Sequence, residues 1–301
     1  MTLRRSMPLV AGLLIAATPL IAWADPRSRG PVPPLSRLPR EVRSYLDHLP
    51  PAKPGKARIA VFDHDKTLMK LDVGEQFMKW MLRKGYFPRQ GGNLLKRAWS
   101  QRQQGKLDDL EVFKLAVSGM AGLKETRVKQ LVDRYYRDGF GGFEKQIFAT
   151  QKELVTELQE RGVEVHIVSA SNPWLIKESA RRLGVPEKNV HAMGVKVDGQ
   201  GRLTSELVMP LPWKDGKVDA IKAAGLLDRG AVIFASGDST GDLRMLGLTK
   251  TTGGISMVVN AHETPRVAEA AAKNGWSRIL LGADDTLSGA GNNRQPHRPA
   301  R

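Results

Sequence analysis

The chain has 301 residues, 41% hydrophobic and 26% charged, which excludes a coiled coil, a collagen-like fibre and a wholly disordered chain. Lysine and arginine number 47 against 31 aspartates and glutamates, a net charge of +16. There is no cysteine, so disulfides, thiolate catalysis, zinc–thiolate sites and a lipid anchor through Cys are excluded.

Arg4 and Arg5 precede an uncharged stretch that closes with Ala22-Trp23-Ala24, a small-x-small pattern. This predicts a secretory signal peptide over residues 1–24, cleaved after Ala24, and a periplasmic or secreted protein. An uncleaved anchor is the alternative. No other segment is long and apolar enough to span a bilayer, so no membrane partner is expected after cleavage. Residues 25–56 are rich in Pro and Arg and read as a tether with one short helix over 41–48. Residues 283–301 read as a disordered tail.

Between these ends, 57–62 is a short apolar run, the pattern of a buried strand. Helical patterns follow over 73–84, 92–103, 108–120, 124–138 and 144–161. A strand over 163–169 and a helix over 173–183 come next, then a hairpin within 190–208 turning at Asp198-Gly199. Helices over 216–224, 241–246 and 265–274 alternate with strands over 231–235, 255–259 and 277–281. The alternation predicts an α/β fold, a Rossmann-like parallel sheet with helices on both faces, from residues 57–72 and 162–282. Residues 73–161 read as an inserted all-helical cap.

In such a sheet, ligands bind at the carboxyl ends of the strands. After the first strand stand Asp63, His64, Asp65, Lys66 and Thr67. Side chains two apart on extended backbone share a face, so both aspartates can enter one cleft, where they need a cation, a shared proton or separate roles. After the second strand stand Ser169, Ala170, Ser171 and Asn172, small donors at a helix start that suit a phosphate. Gly237, Asp238, Ser239, Thr240, Gly241 and Asp242 follow the third, and Lys217 opens a helix before it. Each signal alone is weak; four in order at the ends of one sheet are not.

Asp63-x-Asp65-x-Thr67, Ser169, Lys217 and Gly237-Asp238-Ser239-x-x-Asp242 together resemble the haloacid dehalogenase (HAD) superfamily of phosphohydrolases. The helical insertion is similar to the cap of its phosphoserine phosphatase-like branch. The resemblance implies an enzyme that hydrolyses phosphoric monoesters, with a small phosphorylated metabolite as substrate. It implies Asp63 as nucleophile, forming an aspartyl-phosphate, and Asp65 as the acid that protonates the leaving alkoxide and then activates water. Mg2+ would be held by Asp63, the backbone carbonyl of Asp65 and Asp238, with Asp242 binding a metal-bound water or orienting Lys217. Thr67, Ser169, Ala170 and Lys217 would hold the phosphoryl group, with Lys214 as a rival for the lysine role. An acidic residue near Asp72 contacts the substrate amine in that branch, which makes Asp72 or Glu75 a candidate for an amino or choline head group. Lys66 departs from the usual Gly, Ser or Asn.

Two other readings stay open. A phosphotransferase would pass the aspartyl-phosphate to an alcohol. A basic protein on an inactive scaffold would bind nucleic acid or an anionic surface, but the basic residues alternate with acids and form no compact patch, so no nucleic-acid partner is expected. Trp80, Tyr86, Phe87, Tyr135 and Tyr136 could offer faces to a quaternary ammonium, but they stand at the helical spacing of core residues. His64 and His166 read as structural histidines, His64 turned away from the acids by alternation.

Overall fold

The computed structural model describes residues 34–261 and 264–287. The expected signal peptide, the first part of the tether and the tail beyond residue 287 lie outside the described residues.

β1 (Ala57–Phe62) buries its last four residues, as a central parallel strand covered on both faces must. It pairs in parallel with β2 (Glu164–Ser169) and, on its other side, with β6 (Gly230–Gly237). β3 (Val190–Ala192) adds to β2; β7 (Ile255–Val259) and β8 (Ser277–Ile279) add beyond β6. The resulting order, β3-β2-β1-β6-β7-β8, reverses direction at β1. A crevice therefore opens at the carboxyl ends of β1, β2 and β6, where the connections diverge.

One face of the sheet carries Ile59, Val61, Val168 and Ala235, packed with Ile221, Leu246 and Val267. These come from α9 (Gly216–Ala223), α11 (Leu243–Leu246) and α12 (Pro265–Asn274), with Leu226 of the short α10 (Leu226–Arg229) in the same core. The opposite face carries Ala60, Phe62, Ile167 and Phe234, and its core runs on into the insertion. The predicted α/β architecture with helices on both faces is the observed one.

The insertion consists of α2 (Val73–Arg83), α3 (Arg89–Gln103), α4 (Asp109–Ser118), α5 (Glu125–Arg134) and the short α6 (Phe143–Gln146). Asp72 and Asp108 start α2 and α4 by accepting from Glu75 N and Glu111 N. α5 ends in a wide π turn, Tyr135–Gly139, which turns both Tyr135 and Tyr136 inward. With Phe77, Trp80 and Phe140 they form an aromatic core.

Four expectations need correction. The helix expected over 144–161 is broken at Ile147, which bridges to Met69 while Lys70 N donates to Gln146 O and Phe148 N to Leu68 O. These crossing bonds bring the chain back to the sheet, so α7 (Ala149–Glu160) packs on β2 and belongs to the sheet layer rather than the cap. Val190–Ala192, expected in the hairpin, is an edge strand of the main sheet; the hairpin is β4 (Val195–Val197) with β5 (Leu203–Leu207), and its left-handed residue is Gly201. The described part of the tether is not loose: α1 (Arg40–Asp47) and its approach bury Leu38, Val42 and Leu46, spaced four apart on one helical face. Nor is the start of the tail, because buried Asp285 accepts from Thr150 N (3.2 Å) and Thr150 Oγ1 (3.0 Å).

Candidate active site

Asp63 is the first residue beyond β1, and its N–H still donates to Ser236 O of β6. That bond fixes the carboxylate at the mouth of the crevice. Lys217, in the first turn of α9, reaches it: Nζ donates to Asp63 Oδ1 (2.5 Å) and to Asp242 Oδ1 (2.6 Å). All three side chains are buried. The two acids hold the lysine ammonium above its ordinary value, against burial acting to lower it. Lys214 takes no part; its ammonium lies over the ring of Trp213. Of the two lysines left open by the sequence, Lys217 is the one in the site.

Asp242 has both oxygens engaged. Besides Lys217 on Oδ1, its Oδ2 accepts from Asp238 N (3.2 Å), Ser239 N (3.0 Å) and Ser239 Oγ (2.9 Å). This arrangement orients the lysine and the turn after β6. Gly237 is required there, since a Cβ would stand 2.5 Å from Asp242 Cβ.

Asp63, Asp238 and Asp242 bring carboxylate oxygens within 4.8 Å of one another. Burial pushes the Asp63 carboxyl up to about 6, with Lys217 pulling it down and the neighbouring acids pushing it up. Burial and the charges of Asp63 and Asp242 push Asp238 up to about 9. Two such acids side by side are relieved by protons or by a cation, and their hard oxygens fit a small divalent ion. Asp238 and Asp63 are the members of the cluster without a full set of protein donors. The carboxylate of Asp65 is not one of the three.

Asp65 is instead held by the protein on both oxygens. Oδ1 accepts from Val73 N (2.8 Å) and His64 Nδ1 (3.0 Å), and Oδ2 from Ser171 Oγ (2.6 Å). Burial acts to raise this carboxyl, but the His64 ring and these donors together hold it below the usual range. Two expectations change here. His64 does not turn away from the acids, and Ser171, read with a phosphate site, serves Asp65.

Asp63, Asp65, Asp72, Ser169, Ala170, Lys217 and Asp238 line one cavity of about 190 Å³. Ser169 is buried at the end of β2, its hydroxyl accepting from Ser171 N. Thr67, expected to touch substrate, lies fully buried beneath, where its hydroxyl is shared between Asp63 Oδ2 (3.3 Å) and Asp238 Oδ1 (3.4 Å). Glu75 turns to Lys79 (2.6 Å) and Arg102 (3.6 Å) and stays off the cavity wall. Asp72 remains on it, and burial beside Asp65 pushes its carboxyl up to about 7. Lys66 is also on the wall with φ +58°, the left-handed conformation that explains why Gly or Asn suits its place.

Arg102, Asp109 and Phe113 of the insertion and Trp213 complete the wall, and the sequence carried no signal for them. Trp213 meets Phe113 edge-on at 5.2 Å. Of the aromatics named from the sequence, Trp80, Phe87, Tyr135 and Tyr136 are core residues and Tyr86 packs part-buried against that core. His166 is buried in β2 and bonded to His191, apart from the cavity.

The haloacid dehalogenase-like hydrolase family matches residues 60–247, from the second half of β1 through the insertion and every residue of this cluster. The chain belongs to that family. Within it, the chain is 25% identical over 232 residues to the phosphorylcholine phosphatase of Pseudomonas aeruginosa, a match covering 67% of this chain and 65% of that protein. It is 21% identical over 234 residues to the histidinol-phosphatase of Neisseria meningitidis, covering 72% of this chain and 96% of that one. Among solved structures, a Bordetella pertussis protein of unknown function superposes with a TM-score of 0.61 at 21% identity, over 74% of this chain and 98% of its own. That likeness shows a shared fold.

Proposed function

We propose that this HAD-family hydrolase cleaves a small phosphomonoester through an aspartyl-phosphate on Asp63, with Mg2+ as cofactor. The observation that carries the reading is the convergence of Asp63, Asp65, Ser169, Lys217 and Asp238 on one cavity. Asp63 attacks phosphorus, forming the aspartyl-phosphate as the bond to the alcohol oxygen breaks. Asp65 gives its proton to the departing oxygen, then takes one from the water that hydrolyses the intermediate and restores Asp63. The like charge of an entering phosphate raises Asp65 from its low resting value toward the protonated form this step needs. Lys217 and Ser169 carry the charge of the phosphoryl oxygens, and Asp242 keeps Lys217 aimed. A divalent cation held by Asp63 and Asp238 would neutralise phosphoryl charge and align the ester.

The leaving group faces Asp72, Asp109, Phe113 and Trp213. Asp72 and two aromatic rings on one cavity wall suit an alcohol bearing a cationic nitrogen, whose charge would hold the Asp72 carboxyl ionised against the burial that raises it. The names of both curated relatives refer to esters of such alcohols. Residues 1–24 serve, in this reading, as an export signal, which N-terminal sequencing of the mature protein tests by finding Asp25 first.

The decisive assay is phosphate release with Mg2+ or EDTA from phosphorylcholine, phosphoserine, histidinol phosphate and glycerol phosphate, with Asp63→Asn as control. Metal-dependent release, lost in the variant, is expected. Transfer of phosphate to added alcohol in place of water would favour the phosphotransferase instead.

A further inference from the structure

His64 stands between the two aspartates, is fully buried, and has both ring nitrogens engaged. Nδ1 meets Asp65 Oδ1 at 3.0 Å; Nε2 meets Ser179 Oγ at 2.8 Å. Ser179 is itself fully buried on α8 (Pro173–Arg182), the helix that follows the Ser169–Asn172 turn. A carboxylate only accepts, so the nitrogen facing it carries the hydrogen. The ring is thus a rigid strut between a helix of the sheet layer and one oxygen of Asp65.

The two oxygens of Asp65 are not equivalent. Oδ1 takes two protein donors, Val73 N and His64 Nδ1, and has no lone pair left for substrate. Oδ2 takes one, from Ser171, whose hydroxyl can rotate and which lies on the cavity wall. We infer that His64, braced by Ser179, is a positioning residue for the proton-transfer step: it ties down Oδ1 and leaves Oδ2 as the atom that exchanges the proton with the leaving group. The inference rests on the hydrolase reading above and adds to it a residue that touches neither substrate nor cation.

A general acid matters more when the departing oxygen is basic, and kcat/KM reports only the steps up to the first irreversible one. The test compares kcat/KM for phenyl phosphate and 4-nitrophenyl phosphate in the wild type, His64→Leu, His64→Asn and Ser179→Ala. His64→Leu should lose about tenfold or more on phenyl phosphate beyond its loss on the nitrophenyl ester. His64→Asn, which keeps a donor near the Nδ1 position, should recover most of that difference, and Ser179→Ala should show it in smaller measure. Equal losses on both esters, or none, would reduce His64 to a packing residue and overturn the inference alone. A wild-type protein that releases phosphate from neither these esters nor the panel above would overturn the hydrolase reading and the inference together; one that takes only the panel esters leaves the hydrolase reading standing and passes the inference to the 15N readout that follows. Should the variants not fold, the 15N resonances of the His64 ring in the wild type decide: Nδ1 protonated is required, and an unprotonated Nδ1 refutes the strut.

Discussion

At the carboxyl edge of the sheet the buried groups are charged: Asp63, Lys217 and Asp242 form a closed set of ions. In the helical insertion the buried groups are apolar, with aromatic rings at their centre, and Lys79 and Arg102 lie partly exposed over Trp99, paired with Glu75. The contrast reflects two kinds of precision. At strand ends, backbone bonds such as Asp63 N to Ser236 O set the carboxylates, and Asp65, Lys217 and Asp242 each have named partners. In the insertion, ring packing sets the volume above the site, and no single bond decides it. Loss of a partner should therefore be costly at the edge, and change of shape should be what matters in the insertion.

The largest effect expected is from Asp63→Asn, which removes the proposed nucleophile and should lower turnover by at least about 10⁴-fold while the chain stays folded by circular dichroism. Lys217→Met leaves Asp63 and Asp242 buried without their cation; urea unfolding should show a loss of about 3 kcal/mol along with loss of activity. The same edge predicts an unusual pH response. Folding raises Asp63, Asp72 and Asp238 from 3.8 to about 6, about 7 and about 9, so the folded chain holds more protons than the unfolded one across that range. The contribution of these three groups to the stability of the cation-free protein is then greatest below the unfolded value and falls as pH rises through these folded values. Mg2+ should raise Tm most near the alkaline end, and a Tm that climbs with pH in EDTA would break the picture of crowded acids.

Where the two regions meet, shape should dominate. A Cβ at Gly74, in the first turn of α2, would stand 2.0 Å from Ser171 Oγ. Gly74→Ala should push Ser171 off Asp65 and cost about tenfold or more in kcat/KM, with little change in stability. Farthest from the site, Thr150→Val removes one bond to Asp285 and should cost about 1 kcal/mol without touching activity.

Much of the site was legible because its ligands follow strand ends in order. Strand ends are marked by apolar runs, and β1 and β7 begin and end where those runs do. Helix starts in the insertion were legible where a cap announced them, as at Asp72 and Asp108. The break at Ile147 and the π turn at Tyr135 follow from contacts with Met69 and with the aromatic core, which no local pattern encodes.

The sequence by itself determined the α/β alternation, the family, and the candidacy of Asp63, Asp65, Ser169, Lys217 and Asp238, since chemistry at strand ends leaves a linear record. Only the tertiary structure separated Lys217 from Lys214, moved Thr67 beneath the acids, turned Glu75 away and brought His64 onto Asp65. Alternation along a strand predicts the face of a side chain only while the strand continues, and β1 ends at Phe62. Beyond that point bonds to distant residues, Ser179 on α8 above all, decide where each group points.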